Sequence, residues 1–337
     1  MDHRLLGRSG LRVSAVSLGV LNFGARTDAA TAERILLDAL DAGVNLVDTA
    51  DVYAAGESER VTGEILRRTG RRDQVVLATK FGLRMGDGPN DVGATRRYII
   101  QACDASLRRL GVDHIDLYQL HRPYFDTAPE ETLRALDDLV RSGKVRQIGS
   151  STHPAWYSME CAAVSDRCGL ARYVSEQSPY NILDRRIEHE TVPFSVRHGV
   201  GILVWSPLAA GILVGRYPSA VEMPAGSRGS ALPALRRRVT ARSLEVVEGL
   251  RALALEHDIS LGQLALRWVR DRPGVTSAIV GPRTVEQLAD LLPAFTAPSL
   301  PDDVLARVDS LVAPGETVSD FHNSSGWTPG SARPLSI

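Results

Sequence analysis

One arrangement recurs along the first 215 residues: an amphipathic helical stretch, a glycine near its end, then a short and almost wholly apolar run. Gly43 precedes Val44–Asp48, Gly70 precedes Val75–Thr79, and Gly111 precedes Ile115–Leu120. Gly143 then precedes Val145–Gly149, Gly169 precedes Arg172–Gln177, and Gly199 precedes Gly201–Trp205. Pro273-Gly274 leads into Ser277–Val280. Such glycines supply the left-handed cap that ends a helix, and runs without polar alternation read as strands buried on both faces. With a first strand at Ala15–Gly19 the pattern predicts eight strands alternating with helices. A (β/α)8 TIM barrel is therefore expected, with long loops on its C-terminal face. The leading Leu5–Val13 segment reads as an N-terminal β-hairpin that could close the barrel bottom. Thr127-Ala128-Pro129-Glu130 and Thr284-Val285-Glu286-Gln287 fit capping boxes.

The repeat breaks between Gly211 and Thr240, where prolines and glycines predict a long loop, and a second irregular loop runs over 82–94. Long loops in compact barrels are usually functional. The expected domain organisation is one barrel over 1–315, with 316–337 a C-terminal tail and candidate cover for the active site.

Composition narrows the function. Hydrophobic residues make up 44% and charged residues 23%, so a sizeable core can form. A net charge of -1 gives no footprint for nucleic acid. The most apolar stretch, Val200–Gly215, is broken by Ser206-Pro207 and is too short to span a bilayer. The opening Met1-Asp2-His3-Arg4 carries no signal-like apolar run, and three cysteines form no C-x-x-C pair, so a reducing, cytoplasmic setting is expected. Only Lys80 and Lys144 of the 39 basic residues are lysines. A lysine at a suspected site then suggests that an amine in particular was needed there.

Barrel enzymes place their chemistry at the C-terminal strand ends. Those positions are Asp48, Lys80 and His121, followed by Ser150-Ser151, Gln177, Trp205 and Gly281, with Tyr53 in the loop after Asp48. A single buried Asp–Lys pair is more often a barrel salt bridge than a reactive one. An acid, a lysine, a histidine and a tyrosine on one rim form a proton-handling set. A free tyrosine titrates near pH 10 and is a sluggish acid at neutrality. One ammonium at about 4 Å supplies roughly 4 kcal/mol at an effective dielectric near 20, enough for a shift of about three units. In this reading Lys80 activates Tyr53, Asp48 orients Lys80, and His121 binds the substrate oxygen.

The segments Asn45–Tyr53, Thr79-Lys80-Phe81-Gly82 and Asp116–His121 together resemble the aldo-keto reductase superfamily, collinear from Leu5 to about Leu292. The resemblance implies a catalytic tetrad of Asp48, Tyr53, Lys80 and His121 and NADPH-dependent reduction of a small-molecule aldehyde or ketone, with Tyr53 as general acid. It also implies cofactor contacts at Gly19, Val20, Leu21, Asp48 and Ser150, with Ser151 and Gln177 holding the carboxamide. Trp205 would stack on the nicotinamide ring, and Ser206, Pro207, Leu208, Gly211, Arg216 and Arg228 would hold the phosphates and ribose. Gly281, Arg283, Gln287 and Asp290 match the adenosine-phosphate end. Independently, Gly281 and Thr284 open a helix whose free N–H groups favour an anion, and Arg283 suits a 2′-phosphate. In keeping with a barrel cofactor site, the chain has no G-x-G-x-x-G and no P-loop. Leu291 and Thr152 depart from residues that relatives use for cofactor contacts.

No H-E-x-x-H or H-x-H pattern points to a metal, and no G-x-S-x-G to a hydrolase. The runs Gly88-Pro89-Asn90-Asp91 and Val280–Thr284 resemble a bacterial branch that includes nucleotide-sugar ketoreductases. A keto-sugar or secondary-metabolite carbonyl, or a generalist aldehyde-detoxifying role, fits equally. The rival from another class is a redox-sensing NADPH-binding regulatory subunit, since channel-associated β-subunit-like reductases share the pattern; these tend to lack the histidine that stands here at 121. Substrate loops are expected at 82–94, 122–127, 216–235 and after Leu311, with Trp156 and Trp327 as candidate lining.

Overall fold

A computed structural model describes residues 1–231 and 233–321, without the side chains at 228, 231, 233 and 234. Strands β1 (His3–Leu5) and β2 (Arg12–Ser14) pair antiparallel as the expected hairpin. Eight further strands are β3 (Val16–Gly19), β4 (Leu46–Asp48), β5 (Val76–Phe81), β6 (Ile115–Leu120), β7 (Val145–Ser151), β8 (Tyr173–Pro179), β9 (Gly201–Trp205) and β10 (Val275–Val280). They run parallel and close into a barrel in chain order, β10 pairing back to β3. The fold is a (β/α)8 TIM barrel.

The expected glycines stand at the helix ends. Gly111, for example, ends the helix Arg96–Leu110 at φ 65°, a conformation that disfavours any residue bearing a Cβ. Neither of the two predicted capping boxes closes in full. The helix Pro129–Arg141 has Ala128 as its N-cap with no side-chain bond, and Thr127 Oγ1 turns to Asp126 instead. Pro129 at the first helical position is pre-set for the helix and has no N–H to satisfy. Thr284 does cap its helix, accepting from the Gln287 N–H, but Gln287 returns its bond to Arg283 N rather than to Thr284.

Period-two alternation sorts the barrel interior into layers. Toward the bottom Leu46, Val76, Leu117 and Leu203 belong with Leu6 and Val13 of the hairpin to one apolar cluster. Burying Leu6 fully contributes roughly 2 kcal/mol. Two residues further along the same strands the inward positions turn polar: Asp48 after Leu46, Gln119 after Leu117. Lys80 likewise follows Ala78. The apolar floor thus forces polar side chains to gather at the upper rim.

The segment 209–236 is not one structureless loop. It contains helical turns at Ala209–Val214, Arg228–Ala231 and Pro233–Arg236. After the helix Asp302–Leu311, residues 316–318 bond to the backbone of Leu183 and Arg185, and Phe321 is buried beneath the Arg238 guanidinium, 4.4 Å from its ring centre. Trp327 and the rest of the tail lie outside the described residues. No described helix is long and apolar enough to cross a membrane.

Candidate active site

At the upper rim one lysine organises three elements. Lys80, on β5 and 0% exposed, donates from Nζ to Asp48 Oδ2 at 2.6 Å, to Thr49 O at 2.8 Å and to the Tyr53 hydroxyl at 3.2 Å. Asp48 Oδ1 accepts from Gln177 Nε2 at 2.8 Å and Gln119 Nε2 at 3.1 Å, so neither carboxylate oxygen is idle. Burial pulls the Lys80 ammonium toward the neutral form, but Asp48 and then Tyr53 outweigh it and hold its pKa above the ordinary value. The lysine is charged. The adjacent residue on β5, Thr79, points the other way and donates to Glu59, which also accepts from Arg109 Nε at 2.6 Å. That ion pair braces the strand from behind.

Tyr53 opens a short turn, Tyr53–Gly56, in which Ala54 and Ala55 adopt φ of 51° and 54°. Among the described residues the other non-glycine residues with positive φ, apart from Asp258, are Thr152, Ser206, Ala209 and Ala210, all in the connections that follow barrel strands. Backbone of this kind is costly and clusters where function constrains it. The Tyr53 ring meets His121 edge-on, with centroids 5.8 Å apart. His121 directly follows β6, and its Nδ1 is buried without a partner among the described residues. Burial first, then the charges of Lys80 and Arg122, push its pKa well below the ordinary histidine value. The imidazole is neutral.

Asp48, Tyr53 and His121 line a cavity of about 690 Å³, within the range of small-molecule and cofactor sites, with Lys80 buried behind them. Its walls include Gly19, Leu21, Asp48, Tyr53 and His121, then Ser151, Gln177 and Trp205. The cavity continues past Ser206, Pro207, Leu208, Gly211 and Arg216 to Gly281, Arg283, Gln287 and Asp290. A Cβ at Gly19 would lie 2.7 Å from Ile279 Cγ2, so this wall admits only glycine without a shift. Trp205 Nε1 is buried without a partner among the described residues, and the helix Val285–Thr296 begins at the far end. A cavity with a half-buried aromatic wall at one end and arginines beside a helix N-terminus at the other suits a dinucleotide.

Two expected contacts are not brought to the cavity. Ser150 is buried on the opposite face of β7, donating to Glu176 Oε2 at 2.5 Å, because strand alternation allows only Ser151 to face inward. Val20 is fully buried in the core between strands and helices. The side chain of Arg228 lies outside the described residues. Trp156 stacks on Phe125 rather than lining the cavity, and the loop 82–94 folds onto its own Asp91.

Arg122 and Leu235, at the bounds of two of the expected substrate loops, also line the cavity, and so do Asn22 and Arg238, which sequence reasoning missed. Asn22 ties β3 to the far wall through Gly281 O at 3.2 Å. Arg122 had a signal in its place beside His121; Arg238 is brought in by packing on Phe321, which no local pattern announces. Behind the site lies Asp51, with both carboxylate oxygens buried and unpartnered and its pKa pushed up to about 8, first by burial and then by Glu59.

Residues 15–313 match the sequence model described as the Aldo/keto reductase family. The chain is 37% identical over 320 residues to a protein of Oryza sativa subsp. japonica named as a probable voltage-gated potassium channel subunit beta, covering 93% of this chain and 97% of that one. It is 38% identical over 328 residues to the uncharacterized oxidoreductase YrpG of Bacillus subtilis (strain 168), covering 92% and 96%. A second probable channel subunit beta, from Arabidopsis thaliana, is 36% identical over 320 residues, covering 93% and 97%.

Proposed function

Since the chain belongs to the aldo/keto reductase family, we propose that it reduces an aldehyde or ketone to an alcohol using NADPH, with Tyr53 delivering the proton. NADPH, when bound, supplies the hydride. Ser151 and Gln177 would hold the nicotinamide amide, Trp205 would pack on the ring, and Ser206 to Arg216 would wrap the phosphates. Gly281, Arg283, Gln287 and Asp290 would take the adenosine end.

The chain's own residues do the rest. His121, neutral in its buried setting, donates a hydrogen bond to the carbonyl oxygen and polarises it. As negative charge grows on that oxygen, the Tyr53 hydroxyl hands over its proton. The charge left on Tyr53 falls beside the Lys80 ammonium, which Asp48 keeps protonated and in place. The observation that carries this reading is the buried Lys80 Nζ bonded at once to Asp48 and to Tyr53, both of which line the cavity.

A second reading, a regulatory subunit that holds NADPH and turns over little, is favoured by the names of two relatives. His121 speaks against it. NADPH consumption against simple aldehydes, aromatic ketones and keto-sugar nucleotides separates the two. Turnover of any of them supports the reductase; tight NADPH binding with none turned over overturns it.

A further inference from the structure

We propose that Arg122 makes the site selective for carbonyl substrates that carry an anionic group, a carboxylate or a phosphate. The proposal rests on the reductase reading and adds the substrate's charge to it.

Arg122 lines the same cavity as Tyr53 and His121. Its Nη1 donates to His121 O at 2.8 Å and Thr152 Oγ1 at 2.6 Å. Both acceptors are neutral, and among the described residues no carboxylate pairs with it. The bonds from Nη1 fix the plane of the guanidinium. Nε and Nη2 have no acceptor among the described residues, yet they are not sealed from solvent either. A held fork with one edge free is the arrangement that accepts a carboxylate or phosphate.

The charge also lies at the reacting end of the cavity. Burial lowers the Arg122 pKa, and Tyr53 is the first of the groups that counter this. In turn Arg122 helps depress His121. Arg216 and Arg283, by contrast, stand on the loops proposed for the cofactor phosphates. Glu176 acts on Arg122 through its field but makes no bond to it. A cation taken from water without a bonded counter-ion is unfavourable, and an incoming anion relieves that cost. A neutral carbonyl compound offers no such relief.

The test compares kcat/KM for matched pairs with NADPH: para-carboxybenzaldehyde against benzaldehyde, and glyceraldehyde phosphate against glyceraldehyde. The wild type should favour the anionic member of at least one pair, and which pair responds identifies carboxylate or phosphate. Arg122→Leu should reduce that preference by about tenfold or more, the factor expected of one charge-assisted hydrogen bond. Arg122→Lys should keep part of it. No preference in the wild type overturns the inference while leaving the reductase standing, and this arm needs no variant to fold. A leucine variant whose preference is unchanged, or whose NADPH affinity falls as far as its anionic kcat/KM, also overturns it. If the wild type reduces neither member of either pair, nor any carbonyl of the wider panel, the reductase reading itself fails.

Discussion

Lys80 Nζ stands 3.2 Å from the Tyr53 hydroxyl, and the lysine is fully buried. In that setting the ammonium can stabilise a developing phenolate without competition from water. We predict that Tyr53→Phe lowers kcat for carbonyl reduction by at least about a hundredfold, the lower range for a positioned acid. NADPH affinity, followed by fluorescence quenching, should stay nearly intact. Unchanged turnover would remove Tyr53 from the proposed role.

The Asp48–Lys80 pair also gives an ordering of stabilities. Without Lys80, Asp48 still accepts from Gln119 and Gln177. Without Asp48, the buried ammonium retains only Thr49 O and the Tyr53 hydroxyl. Breaking a buried pair costs about 3–5 kcal/mol when the remaining charge is stranded. Asp48→Leu should therefore fall in that range in urea unfolding, and Lys80→Met should cost less. The opposite order would contradict the partner assignment.

The barrel and its polar rim were legible because the strands after the first follow a glycine and read as apolar runs, and Asp48, Lys80 and His121 fall at the ends of such runs. Ser150 misled for a related reason. It neighbours Ser151, and only the phase of the alternation decides which serine faces inward; β7 also pairs with β8 through an irregular register. Val20 follows β3 directly but turns into the outer core. Arg122 fell within the expected substrate loop 122–127, but in a chain this rich in arginine nothing marked its guanidinium out. Arg238 was out of reach, since its place depends on Phe321 more than 80 residues away.

Arg283 lines the far end of the cavity, and its Nη1 donates to Gly226 O at 2.8 Å, which steadies it from the 209–236 segment. A guanidinium held there would meet the 2′-phosphate that distinguishes NADPH from NADH. The wild type should bind NADPH markedly more tightly than NADH, and Arg283→Ala should reduce the ratio of the two affinities by about tenfold. Equal affinities in the wild type, measured by fluorescence titration, would sink the assignment.

Asp51 links the site to the pH dependence of folding. Burial, then the nearby Glu59, raise its pKa from 3.8 to about 8, with Arg109 and Lys80 opposing. Tyr98, Tyr118 and Tyr124 also lie within its field. Between the unfolded and folded values the native state holds a proton that the unfolded chain has released. Stability from this group is thus complete below the unfolded pKa and is lost as pH rises toward the folded one, at up to about 1.4 kcal/mol per pH unit. Asp51→Asn removes the titration and keeps the shape. The variant should gain on the wild type as pH rises from about 5 to about 8 and hold a constant lead above that. The check is urea unfolding of both proteins across this span. A difference that does not change with pH, or one that shrinks as pH rises, would mean that Asp51 is ionised in the folded barrel and that its two buried oxygens are answered by charge rather than by a proton.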